Sequence, residues 1–151
     1  MKTLIICESV HHGNTKKVAE AMAKVLNAEI KKSGEVDVGK LGEYDLIGFG
    51  SGIYMGKFHK NLLKLIDGLP GNGKNAFIFS TAGGDNEGMK NHQAIKDKLA
   101  IKGFKVVDEF TCRGHDTFGP LVLIGGINKG KPDEKDLEKA REFALRLKGS
   151  Q

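Results

Sequence analysis

The sequence predicts an α/β fold, a three-layer, doubly wound, five-stranded parallel sheet. Three observations lead there. Short apolar runs of strand length alternate along the chain with segments whose apolar residues recur at helical spacing. The runs are too uniformly apolar for a sheet with one wet face, so helices must cover both sides. At 151 residues the chain is long enough to bury a core and is expected to form a single domain spanning 1–151. With right-handed crossovers, the strand order 2-1-3-4-5 is one of the two common solutions.

Residues 4–8 form the first apolar strand. Residues 15–26 follow as a helix, with Val18, Met22, Val25 and Leu26 on one face and Lys16, Lys17, Glu20 and Lys24 largely opposite. Residues 28–32 make a weak strand with charged ends, suited to a sheet edge. Residues 44–50 are a second buried strand. A helix over 58–67 carries Leu62, Leu63, Leu65 and Ile66 and is stopped by Gly68-Leu69-Pro70-Gly71. Residues 76–80 are a further apolar strand. The helix over 87–102 turns Ile95 and Leu99 inward and closes at Gly103. Residues 105–112 alternate more than the other strands and predict a more exposed one. A helix over 132–147 has Pro132 at or near its start and Leu137, Ala140, Ala144 and Leu147 inward. The stretch 114–131 is a long loop for a compact domain, and such loops are often functional.

Composition narrows the function classes. No apolar run approaches a membrane span, and Met1-Lys2-Thr3 leads straight into a strand, so a cytoplasmic location is expected. Cys7 and Cys112 lack the spacing of a redox motif or a metal site, and a buried Cys7 fits a reduced compartment. The net charge is +5. Basic charge suits nucleic acid or an acidic partner, but the lysines are spread along the chain and interleaved with Glu and Asp. Nucleic-acid binding is therefore not expected.

The turn Glu8-Ser9-Val10-His11-His12-Gly13-Asn14-Thr15 carries the most information. It joins a strand to a helix N-terminus, where α/β proteins bind phosphate through unpaired N–H groups and the positive dipole end. Gly13 allows close approach of the backbone, Asn14 and Thr15 suit capping, and Ser9 and Thr15 can donate hydroxyl hydrogen bonds. An ordinary glycine-containing turn is the alternative. Two more loops fall at strand ends on the same edge: Ser51-Gly52-Ile53-Tyr54-Met55-Gly56-Lys57, and Ser80-Thr81-Ala82-Gly83-Gly84-Asp85. Their small residues let a flat ring lie against backbone. Tyr54 offers an aromatic face, unless it packs on the core, and Met55 is a soft neighbour.

The first turn resembles the FMN-phosphate loop of the flavodoxin family, with Gly13-Asn14-Thr15 intact and Val10 and His12 where hydroxyl residues are usual. The second loop is similar to that of flavodoxin-domain proteins that include a protoporphyrinogen oxidase group. The segments 112–120 and 128–132 resemble the C-terminal part of short flavodoxin-family proteins of bacteria and archaea. The resemblance spans essentially the whole chain. It implies FMN as cofactor, electron transfer as activity and a redox protein as partner. It implies cofactor contacts from Ser9, Val10, His11, His12, Gly13, Asn14 and Thr15, from Ser51, Gly52, Ile53, Tyr54, Met55 and Gly56, and from Ser80, Thr81, Ala82, Gly83 and Gly84. It also implies that a second-loop peptide, matched by Gly56, turns over as the flavin is reduced. Family flavins are often sandwiched by Trp and Tyr. This chain has no Trp, so stacking by Tyr54 is one-sided unless Phe118 or another chain covers the ring.

Other signals carry less. Gly68–Lys74 and Gly125–Lys131 approach a nucleotide P-loop but end in Asn75 and Pro132 where Ser or Thr must bind magnesium. His11 and His12 are adjacent and point apart, and His59, His92 and His115 have no ligand partner at metal spacing. Ser9 lacks a nucleophile-elbow context. Arg113 could activate Cys112, but a half-buried structural cysteine is the simpler reading. The expected function is an FMN electron carrier. A flavin-dependent dehydrogenase of protoporphyrinogen or a quinone, and a cofactor-free binding module, are the rivals.

Overall fold

The computed structural model describes residues 1–9, 13–71, 73–83, 87–114 and 130–150. Strands β1 (Thr3–Glu8), β2 (Glu29–Lys31), β3 (Leu46–Tyr54), β4 (Lys57–Phe58), β5 (Asn75–Ala82) and β6 (Lys105–Arg113) are joined by helices α1 (Asn14–Leu26), α2 (Lys60–Asp67), α3 (Glu87–Lys90), α4 (His92–Ile101) and α5 (Glu134–Gly149). The sheet order is β2-β1-β3-β5-β6 with every neighbour parallel, and β4 pairs antiparallel with β3. With the short β4 set aside, this is the order 2-1-3-4-5 expected from the sequence.

Side-chain alternation splits the core into two layers. On one face Leu4, Ile6, Ile47, Phe49 and Ile78 pack with Leu62 and Ile66 of α2 and Ile95 and Leu99 of α4. On the other Ile5, Cys7, Phe77 and Phe79 pack with Val18 and Met22 of α1 and Phe143 and Leu147 of α5. Both faces of β1 are buried along its whole length, as a central parallel strand requires. β2 and β6 lie at the edges and are only partly buried, as their charged or alternating sequences predict.

β3 runs further than expected. Alternate glycines on one face make this possible, because each gap is filled by a ring. A Cβ on Gly48 would lie 2.2 Å from Phe77, and one on Gly50 would lie 2.1 Å from Phe79. A Cβ on Gly52 would lie 2.7 Å from the Tyr54 hydroxyl oxygen. The glycines thus act as sockets for aromatic rings, and the strand continues through Ser51, Gly52, Ile53 and Tyr54. Only Met55 and Gly56 form the turn, both at positive φ (51° and 79°), and β4 returns antiparallel with Ile53 opposite Phe58 and Tyr54 opposite Lys57. Two central residues at positive φ are the signature of a tight hairpin matched to strand twist.

Helix boundaries also move. α1 starts at Asn14 with Gly13, which has no side chain to cap with, as N-cap at φ 64°, so Asn14 and Thr15 are not the caps the sequence suggested. The expected helix over 87–102 is divided at Asn91 into α3 and α4. α5 begins after Pro132, where Asp133 and Asp136 form a reciprocal capping box.

Candidate functional site

The carboxyl ends of β1, β3, β5 and β6 meet at one edge of the sheet, and short polar contacts tie them together. The hydroxyl of Thr15, at the start of α1, lies 2.8 Å from that of Thr81 near the end of β5. Both side chains are buried, with 1% and 4% of their surface exposed. The side chain of Asn14 packs onto the backbone after β6, where a Cβ on Gly114 would stand 2.5 Å from its Nδ2. The Gly114 N–H in turn donates to the Ala82 carbonyl at 3.0 Å. The start of α1 is thereby stitched to the ends of β5 and β6. Ser9 Oγ accepts from the Lys16 N–H at 3.2 Å, which closes the first turn from the strand side. No acidic side chain lies in the first turn of α1, so no carboxylate of that turn offsets its dipole end.

The second loop is the β3–β4 hairpin. Ser51 is fully buried, donates to the Gly52 carbonyl at 2.6 Å and accepts from the His59 N–H at 2.9 Å, so it anchors the hairpin to α2. The Tyr54 ring lies over Gly52 and meets the His59 ring edge-on, with centroids 5.9 Å apart. Met55, at the tip, is 85% exposed. The third loop begins only at Gly83, because Ser80, Thr81 and Ala82 belong to β5. Ser80 points away from Thr81, into the face under α4, with its Oγ 2.7 Å from His92 Nε2 and 2.9 Å from Thr111 Oγ1.

His92 is the residue that sequence reasoning passed over. Its partners are Ser80 and, at 3.2 Å through Nδ1, Glu109, and they come from two different strands. No spacing rule links positions so far apart. Ser, His and Glu in series resemble a hydrolytic triad, but Ser80 is fully buried, so no substrate reaches it. Burial lowers the basicity of His92, while Glu109 opposes that shift. Burial pushes the Cys7 and Cys112 thiols up to about 12, so neither is an activated nucleophile. Among the described residues no group of three His, Cys, Asp or Glu side chains could hold a metal ion. Val10, His11, His12, Gly84 and Phe118, with most of the long loop over 114–131, lie outside the described residues.

A model of the flavodoxin domain matches residues 4–117. The chain belongs to the flavodoxin domain family. An uncharacterized protein of Methanocaldococcus jannaschii is 48% identical over 144 residues, covering 95% of this chain and 96% of that protein. Solved flavodoxins share the fold at lower identity. Flavodoxin 2 of Bacillus cereus superposes with a TM-score of 0.75 at 18% identity, with both chains fully covered. The flavodoxin of Streptococcus pneumonia TIGR4 superposes with a TM-score of 0.74 at 17% identity, again over the whole of both chains. A flavodoxin from the domain Archaea gives 0.68 at 21% identity, over 97% of this chain and 96% of that one.

This flavodoxin-domain protein has FMN as its cofactor by family membership, and its residues fit that group. The first turn of α1 is free of acids, which suits a phosphate. Open space surrounds the Cβ direction of Gly13. Among the described residues no helix is long and apolar enough to cross a membrane.

Proposed function

We propose that this flavodoxin-domain protein is an FMN-dependent electron carrier for a redox protein partner. The observation that carries the reading is the stitching of the acid-free α1 start to the ends of β5 and β6 through Thr15–Thr81 and Asn14–Gly114. Such an edge, at the carboxyl ends of parallel strands, is where an open α/β sheet takes a ligand. Bound FMN supplies the capacity to accept and release electrons singly or in pairs.

In this reading, backbone N–H groups around Gly13, Asn14 and Thr15 hold the phosphate, with Ser9, Val10, His11 and His12 completing the loop. The hairpin Ile53–Gly56 and the strand end Ala82–Gly83 flank the ring. Tyr54 supplies the stacking face, held at its place by the Gly52 socket and the edge of His59. Ser51, Ser80 and Thr81 act one step back. Their hydroxyls are engaged with protein groups, so they position backbone rather than touch the ring. Met55 at the hairpin tip and Lys57 beside it form an apolar, basic rim, and with a net charge of +5 the matching partner is acidic. The two free cysteines support a reducing, cytoplasmic setting.

The test is direct. Purified protein should show a bound-flavin spectrum, the cofactor released on denaturation should be FMN, and the reduced protein should pass electrons to an acidic acceptor. A colourless protein that ignores added FMN overturns the reading.

A further inference from the structure

Under the third loop, a chain of polar side chains crosses an otherwise apolar layer. Lys96 pairs with Glu109, Glu109 meets His92 Nδ1, His92 Nε2 meets Ser80 Oγ, and Ser80 meets Thr111. Thr111 Oγ1 also lies 3.3 Å from the Ser80 carbonyl oxygen. His92 is fully buried and is the first residue of α4. The same helix start reaches the second loop. The Phe58 ring packs on His92 with centroids 5.4 Å apart, and Asn91 Oδ1 lies 3.6 Å from where a Cβ on Gly56 would stand. His92 and Asn91 therefore bridge the Met55–Gly56 hairpin and the end of β5.

Counting protons shows that the chain has two complete arrangements. A carboxylate paired with Lys96 only accepts, so His92 Nδ1 carries a proton in both. With a neutral ring, Ser80 donates to Nε2 and Thr111 donates to the Ser80 carbonyl. With a charged ring, Nε2 donates to Ser80, Ser80 to Thr111, and Thr111 to the Ser80 carbonyl. No donor is orphaned in either, and only the Ser80 hydroxyl turns, from Nε2 to Thr111. What separates the states is the cost of the charge. The cation would sit without water at a helix N-terminus, whose dipole repels it. Among the described residues, the charged groups acting on the ring are Glu109 on β6, which favours the cation, and Lys96 on α4, which opposes it. β4 contributes only Phe58, and β5 only the neutral Ser80.

We infer that His92 is a proton-sensitive positioning residue of the flavin site: neutral, it locks the hairpin and the end of β5 in place, and protonated, it releases both. The inference rests on the FMN reading above. A charged ring gains most by turning toward water. That movement withdraws Asn91 and the first turn of α4 from Gly56, Phe58 and Ser80 together, and the two loops that flank the ring lose their common support.

The experiment measures FMN and riboflavin affinity from pH 8 to pH 5 for the wild-type protein and His92→Gln, with NMR titration of His92 in free and flavin-loaded protein. Riboflavin has no phosphate to titrate. Glutamine can accept from Ser80 and donate to Glu109 but takes no proton. Wild-type affinity for both flavins should fall about tenfold through the His92 titration, and by reciprocity flavin binding should lower the His92 pKa by about one unit. Whatever its affinity at pH 8, His92→Gln should keep that affinity on acidification. Parallel pH profiles for wild type and variant, or the same His92 pKa with and without flavin, overturn the inference while leaving the FMN reading standing. If the variant does not fold, the NMR comparison on the wild type decides alone. A wild-type protein that binds neither flavin at pH 8 overturns the FMN reading, and this inference with it.

Discussion

Thr15 and Thr81, 66 positions apart in sequence, share a buried hydroxyl–hydroxyl hydrogen bond of 2.8 Å. It fastens the first turn of α1 to β5, so the parts of the edge proposed to bind the phosphate and the ring are one unit. A hydroxyl both donates and accepts. When Thr81 donates to Thr15, the Thr15 proton remains available to an anion at the helix start.

Thr15→Val keeps the shape and removes that proton. Folding stability should fall by about 1 kcal/mol, the net worth of one hydrogen bond. FMN binding should weaken by about 1–3 kcal/mol when Asn14→Ala is added, since charge-assisted bonds to the phosphate are lost. Riboflavin affinity should change little. Fluorescence titration with both flavins checks this, and an equal loss for riboflavin would show that the loop does not hold the phosphate.

Gly52 and Tyr54 give a paired test of ring stacking. In Gly52→Ala the new methyl would stand 2.7 Å from the Tyr54 hydroxyl oxygen and 2.9 Å from Cζ, so the ring must leave its socket. Gly52→Ala and Tyr54→Ala should therefore weaken FMN and riboflavin alike and raise the fluorescence of the bound flavin. Unchanged affinity and quenching in both variants would place Tyr54 away from the ring.

The fold was largely legible because apolar runs and helical periodicity report burial directly, and burial decides the layers. β1, with both faces covered, shows this most clearly. The extension of β3 was not legible. Gly48 and Gly50 fall inside the expected strand, but Gly52 looks like a loop residue until Tyr54 is seen to cover it, and β-strand formation there depends on pairing with Thr81 of β5. The Gly13-Asn14-Thr15 turn could be found from local pattern alone. The directions of the Ser51, Ser80 and Thr81 hydroxyls could not, because strand alternation decides which way a hydroxyl points. Counting Ser80 to Ala82 as loop hid that alternation. His92 escaped because its meaning lies in Ser80 and Glu109, not in its neighbours.

The two thiols predict an alkaline weakness. Burial raises Cys7 and Cys112 from 9.0 to about 12 in the folded state. Above the unfolded pKa, the unfolded chain releases these protons while the folded chain keeps them. Stability is therefore fully present below about pH 9 and falls as pH rises toward the folded value, by about 1 kcal/mol per pH unit for each thiol. Urea unfolding at pH 8 and pH 10.5 should show the drop, and Cys7→Ala should reduce it. An identical pH slope in the variant would remove Cys7 as a cause.

Lys57 tests the electrostatics of the hairpin. It stands opposite Tyr54 across the β3–β4 pair and is exposed, and Lys60 opens α2 three residues on. Positive charge beside the ring favours the more negative reduced cofactor. The potential of the second one-electron step should then lie higher than in a relative whose rim is acidic. Lys57→Glu reverses one charge. At a separation of about 10 Å in partly wet surroundings, that is worth a fraction of a kcal/mol to about 1 kcal/mol, or tens of millivolts for one electron. The second potential should fall by that amount in a redox titration, while the first should move less. The same substitution should slow electron transfer to an acidic acceptor at low salt, with the difference closing as ionic strength rises. An unchanged second potential would detach the net charge of +5 from tuning of the flavin. Rates insensitive to salt would leave Lys57 as a solvated surface charge with no part in steering the partner.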